Sequence, residues 1–225
     1  MEIKLEHKPA YAIAAIDLQP GETIRAESGA MISMSGTLTM ETSARTKKGG
    51  LLRGLARKML TGESFFLNTF KAESAPGEVL LAPANVGDMV HHELHGELLI
   101  QSTCYVASGE DVEVQTKVGG FKNWFGGKGF FMMKAIGQGP VLLSAFGGVQ
   151  EMELSAPYII DTGHIVAFEP TLDFKLKRVG SWFSTFFSGE GFVCEFSGRG
   201  KLWIQTRNPG EFGMAVGPQL PARKN

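Results

Sequence analysis

A chain of 225 residues with a formal net charge of −1 at neutral pH carries no global field toward nucleic acid or an anionic membrane, so any such attraction has to be local. With 43% hydrophobic and 20% charged residues it has the composition of a folded globular protein, not a disordered one. Its two cysteines, Cys104 and Cys194, are isolated and too few to form a disulfide framework, which suits a reducing compartment, and their apolar neighbours mark them as small buried hydrophobes.

The N-terminal stretch Met1–Glu6 alternates charged and apolar residues and predicts a strand. It has neither the apolar core of a secretion signal nor an Arg-rich presequence, and no stretch approaches the roughly 18 apolar residues of a membrane span. The expectation is a soluble cytoplasmic protein. Leu38 and Met40 alternate with Thr37, Thr39 and Glu41, which predicts a half-buried strand. Leu51, Leu52, Leu55, Met59 and Leu60 then fall at helical spacing, with Arg53, Arg57 and Lys58 mostly between them, predicting a short amphipathic helix over 51–60. Further along, Val112 and Val114 alternate with Asp111, Glu113 and Gln115, and Leu172, Phe174 and Leu176 with Asp173, Lys175 and Lys177. No strand–helix–strand rhythm appears. From Pro209 the chain is rich in Gly and Pro, and residues 213–225 read as a flexible tail.

The strongest pattern is a repeat. Gly62-Glu63-Ser64-Phe65-Phe66 is matched by Gly127-Lys128-Gly129-Phe130-Phe131 and by Gly189-Glu190-Gly191-Phe192-Val193, at intervals of 65 and 62 residues. Downstream, Gly77–Leu81 matches Gly139–Leu143 and Gly200–Ile204. Upstream, Ser28–Ile32 matches Ser102–Val106 and Thr162–Val166. Three modules follow, about 22–95, 96–155 and 156–210, inside one domain over 1–212, because a unit of about 60 residues buries too little surface to stand alone. Many short strands with closely spaced turns argue for an all-β roll. Such units leave strand edges that symmetric association removes, so a homo-oligomer is expected.

The segments Leu18-Gln19-Pro20-Gly21-Glu22, Glu27–Met31, Lys47–Leu51 with Gly62–Phe66, Pro83 with Gly87-Asp88, Gly119-Gly120 and Gly189–Phe192 together resemble the altered-inheritance-of-mitochondria type of family, over about residues 1–212. Its bacterial members are uncharacterised, and its mitochondrial relative is implicated in inner-membrane organisation. The resemblance implies a fold like that of the trp RNA-binding attenuation protein. That fold is all-β, with three repeated double-stranded β-helix-like modules, here joined by one short amphipathic helix. The resemblance also implies a homotrimer as the first choice of assembly. It supplies no catalytic residues and no cofactor.

Four features are candidates for function. Arg45, Lys47, Lys48, Arg53, Arg57 and Lys58 place six of the 22 basic residues within 14 positions, with no acid between Glu41 and Glu63. Such a segment suits an anionic partner or peripheral contact with a membrane surface, against the alternative of a merely solvated helix face. His91, Glu93 and His95 share one face if their segment is a strand. They could ligate a metal, but they fit neither His-Glu-x-x-His nor the His-x-His arrangement of metal-binding cupins, so an exposed polar strand ranks above a metal-dependent enzyme. Gly49-Gly50 and Gly119-Gly120 lack the Gly-Lys-Ser/Thr ending of a phosphate loop and read as turns. Trp124, Phe125, Phe130, Phe131, Trp182, Phe183, Phe186 and Phe187 recur at matching places, which favours packing or subunit contact over base stacking. A non-enzymatic scaffold or binding protein is therefore expected. A nucleic-acid or small-ligand binder stands as the alternative, disfavoured by the absence of a repeated basic stripe.

Overall fold

The computed structural model describes residues 1–44, 66–115, 132–178 and 192–221. These residues are predominantly β, arranged as several sheets with one short α-helix. The helix expected over 51–60 lies outside the described residues.

Strand β1 (Glu2–Glu6) pairs antiparallel with β2 (Ile13–Leu18), and the alternation of charged and apolar residues in β1 leaves Ile3 and Leu5 partly buried against the core. There follow β3 (Thr23–Glu27), β4 (Met31–Met34), β5 (Leu38–Ala44), β6 (Phe66–Ala72) and β7 (Gly77–Leu81). Next come β8 (Met89–Gln101), β9 (Tyr105–Gly109), β10 (Val112–Gln115) and β11 (Met132–Ser144). The last group is β12 (Val149–Leu154), β13 (Tyr158–Asp161), β14 (Ile165–Phe168), β15 (Leu172–Arg178), β16 (Phe192–Gly198) and β17 (Gly200–Gln205).

The same four antiparallel pairings occur three times. In the first set, β2 and β4 flank β7, while β3 and β5 flank β6. In the third, β12 and β14 flank β17, while β13 and β15 flank β16. In the second, the long strands β8 and β11 each serve twice. The Met89–Leu94 half of β8 faces 139–144 of β11 and the Glu97–Gln101 half faces 132–136, with β9 and β10 pairing to the corresponding halves of β11. The sets are joined by two further pairings. β3 of the first holds β9 of the second, and β8 of the second holds β14 of the third. The sets span 13–81, 89–144 and 149–205, a different phase from the sequence modules, whose glycine–phenylalanine anchors fall late in each set, next to the starts of β6, β11 and β16.

Apolar side chains explain why the sets adhere. Three core clusters form, and each draws residues from neighbouring sets: Val106, Ala107 and Leu142 pack with Ile16, Ile24 and Phe70, while Leu99 and Met132 pack with Phe168, Phe196 and Leu202. Burying a side chain of this size contributes about 1.5–3 kcal/mol. The connections between sets also stack. Ala12 donates its N–H to the Gly87 carbonyl at 3.0 Å, Asp88 to Gly147 at 2.8 Å, and Thr206 to Gly148 at 2.9 Å. Gly87 and Gly147 form an isolated parallel bridge. A Cβ on Gly87 would stand 2.1 Å from the Ala145 carbonyl oxygen, so only glycine permits the approach.

Where the sequence predicts a frayed tail, Pro209–Val216 form helix α1. Pro209 opens it at a position where proline is compatible with a helix. The Asn208 side chain caps it, accepting from the Gly210 and Glu211 N–H groups at 2.9 and 3.4 Å. Phe212 leans on Phe146 with ring centroids 5.3 Å apart.

Candidate functional site

The basic residues Arg45, Lys47, Lys48, Arg53, Arg57 and Lys58 lie outside the described residues, as do the aromatic residues at 124, 125, 130, 131, 182, 183, 186 and 187 and the pairs Gly49-Gly50 and Gly119-Gly120. Their points of attachment are described. Ala44, the last residue of β5, faces Phe66, the first of β6, across the ladder. Arg178 faces Phe192 in the same way between β15 and β16, and Gln115 of β10 faces Lys134 of β11. The three segments that differ most between repeats therefore all start and finish at the corresponding β-hairpin of their set.

The histidines fall on β8. As alternation requires, His91, Glu93 and His95 are exposed on one face, while Leu94 between them is buried. His91 Nε2 lies 2.9 Å from Glu93 Oε1, an exposed pair of small energetic weight. Among the described residues no three His, Cys, Asp or Glu side chains converge to hold a metal ion. His92 points the other way, its ring edge-on to Trp203 with centroids 5.0 Å apart, and burial lowers its pKa.

Around Trp203 lies a polar group that sequence reading missed. The Trp203 indole N–H donates to Glu151 Oε2 at 3.0 Å, and Lys201 Nζ reaches Glu151 Oε1 at 2.7 Å. The Lys201 contact holds the Glu151 carboxyl below its ordinary range, and Glu151 raises Lys201 in return. Every charge here has a partner, and the neutral imidazole beside them faces an indole, so the group ties β12 to β17 and offers no nucleophile. At the joint between the first two sets, Asp88 accepts from the Met89 N–H at 2.8 Å and pairs with Lys8 Nζ at 3.5 Å.

Two interior features lie apart from these. Glu27, half-buried at the end of β3, has its carboxyl pushed up to about 7 by desolvation. Cys104 and Cys194 are free and buried, with burial pushing both thiols to about 12, so neither is a thiolate nucleophile at neutral pH. No periodic signal in the sequence marks Glu27, and Trp203 reads as one more apolar residue of a strand.

The described residues thus define a predominantly β protein of recurring strand pairings. The chain belongs to the mitochondrial biogenesis AIM24 family, whose model matches residues 3–207. It is 26% identical to an uncharacterised protein of Streptococcus pyogenes serotype M6 over 234 positions, covering 100% of this chain and 93% of that protein. A crystal structure of a Streptococcus pyogenes protein superposes with a TM-score of 0.81 at 24% identity, covering 97% of this chain and 99% of that one, which establishes the likeness of fold. Among the described residues no helix is long and apolar enough to cross a membrane.

Proposed function

We propose that this protein is a non-enzymatic scaffold of the cytoplasm, built from three double-stranded β-helix-like modules of the attenuation-protein type. It presents the basic segment 45–58 to an anionic partner, in the first instance a membrane surface. The observation that carries the reading is the pairing of Ala44 with Phe66, the two residues that flank 45–65, the stretch that contains that segment. The comparison among hairpins supports it. Residues 45–65 hold six basic residues and one acid, 116–131 hold three lysines and no acid, and 179–191 hold one glutamate and no base. A repeated structural element would not need this gradient, so the charge belongs to what the first copy does alone. Near an anionic surface each cation contributes about 1 kcal/mol, enough in sum for reversible attachment without a spanning helix.

The test is flotation with vesicles of neutral lipid and of neutral lipid mixed with phosphatidylserine. Binding to the anionic vesicles alone, weakened by salt and lost in the triple variant Arg53→Ala, Arg57→Ala, Lys58→Ala, is the expected result. Equal behaviour on both vesicle types overturns it. A salt-sensitive gel shift with RNA and no flotation would replace the membrane with nucleic acid as the partner.

A further inference from the structure

The first set carries a strand that the third lacks. β1 lies along β2, with Ile3 facing Ile16 and Leu5 facing Ala14, and both apolar side chains extend the first core cluster. The third set repeats the order β2, β7, β4 as β12, β17, β14, but nothing lies along β12. Among the described residues β12 pairs only with β17, at the end of its sheet. Positions correspond through shared partners: Leu81 faces Ala14 and Met31, and Ile204 faces Gln150 and Ile165. Ala14 therefore corresponds to Gln150, Ala15 to Glu151, Ile16 to Met152 and Asp17 to Glu153.

The missing cover changes burial at these places. Beside β1, Ala14, Ala15 and Ile16 are 0%, 7% and 0% exposed. On β12, Gln150 and Glu151 are exposed, and Met152 is half-buried against the third core cluster. An edge of this kind presents a row of unpaired backbone N–H and C=O groups. The edge is also acidic. Glu151 shares Lys201, at 2.7 Å, with the rest of its surroundings, while Glu153 faces Lys201 across the ladder and makes no hydrogen bond among the described residues. In the second set the counterparts of these two acids are His91 and Glu93, which pair with each other at 2.9 Å.

We infer that β12 takes up an extended basic segment of a partner protein as an added antiparallel strand, in the register that β1 uses on β2. Residues of that segment facing Met152 and Gln150 stand where Ile3 and Leu5 stand on β2, and are apolar. Those facing Glu153 and Glu151 are cationic. β1 supplies the first half of the pattern by example. Charge supplies the second, because opposite charges across a ladder stabilise it and like charges destabilise it. A second copy's β1 does not fit, since its Glu2 would face Glu153. The two acids that turn away an acidic strand admit a basic one, and backbone pairing supplies the affinity. This site does not depend on the basic segment 45–58, and its test leaves lipid binding aside.

The test is a titration of the isotopically labelled full chain with the peptide Lys-Val-Lys-Val-Lys-Val, followed by amide chemical shifts and amide hydrogen exchange. The amides of β12 are expected to shift and to exchange more slowly. N-methylation of alternate peptide residues should abolish the response in one phase and spare it in the other, because only one set of peptide N–H groups faces β12. Glu153→Lys, at an exposed site where the amide spectrum itself checks the fold, should weaken the response severalfold. No response at millimolar peptide, a response outside β12, or equal responses to the two methylated phases overturns the proposal. Protection of β12 that grows with protein concentration and without peptide also overturns it, since a second copy would then hold the edge.

Discussion

Gln205, at the end of β17, donates from Nε2 to the Gly163 carbonyl at 2.7 Å. Its Oε1 accepts from the Phe146 N–H at 2.8 Å, and its own carbonyl lies 2.7 Å from His164 Nδ1. One buried amide thus ties the last strand to the turn before β14 and to the connection between the second and third sets. Gln205→Leu fills similar volume but orphans the Gly163 carbonyl and the Phe146 N–H. The expected loss is about 1–3 kcal/mol for each group left buried and unpaired, read as a lower urea midpoint at an unchanged slope.

The Glu27 carboxyl predicts a pH dependence. Its folded pKa, about 7, lies above the ordinary 4.5, because burial disfavours the carboxylate. The folded state therefore binds the proton more tightly than the unfolded one. The stabilisation from this group is complete below pH 4.5 and is lost as the pH rises to about 7. Glu27→Gln removes that loss, and glutamine already occupies the corresponding place in the second set, as Gln101. The variant is expected to melt higher than the parent at pH 8, with the gap shrinking as the pH falls toward 4.5. A gap that does not depend on pH would reject desolvation as the cause.

Strand identity was legible where one face meets solvent. Val112 and Val114 are buried, and Leu172, Phe174 and Leu176 are buried or half-buried, as their alternation predicts. Met40 departs from its pattern: it shares a face with buried Leu38 yet is 41% exposed, because alternation fixes a face and not what covers it. The alignment of Ser28, Ser102 and Thr162 marks the equivalent turns before β4, β9 and β14. Pairing between sets was not legible, since it depends on which distant strand arrives. Neither was the Gln205 hub, whose partners lie 42 and 59 residues away. Helix α1 was missed because its glycines outweigh a cap visible only once Asn208 is seen accepting two N–H groups.

Gly137 shows where glycine is structurally required. On β11 opposite Val112, it has φ +138°, and a Cβ there would stand 2.0 Å from the Asp111 carbonyl oxygen. Its counterpart Gly198 has φ +98° opposite Leu172. Gly137→Ala combines backbone strain with a clash against main chain. It is expected to destabilise by more than the roughly 1 kcal/mol that such a replacement gains at a compatible site. Gly96→Ala, also at positive φ but with no atom within 4 Å of the added Cβ, isolates the backbone part. Thermal melts of the two variants should rank Gly137→Ala as the worse.

Cysteine labelling reports which part of the fold opens first. Both thiols are pushed up to about 12 by burial, so alkylation at pH 8 requires an opening that exposes and ionises the sulfur. Cys194 lies on β16 between β13 and β15, facing Ile160 on one side and Leu176 on the other. Exposing it means peeling away one of those strands, and β13 has only four residues. Cys104 sits in the core that joins the second and third sets, with the side-chain oxygen of Gln205 3.9 Å from its sulfur. Cys194 is therefore expected to label faster than Cys104 in native protein, and both at once in denaturant. Equal rates for the two thiols in native protein would mean that both are exposed by opening of the whole fold.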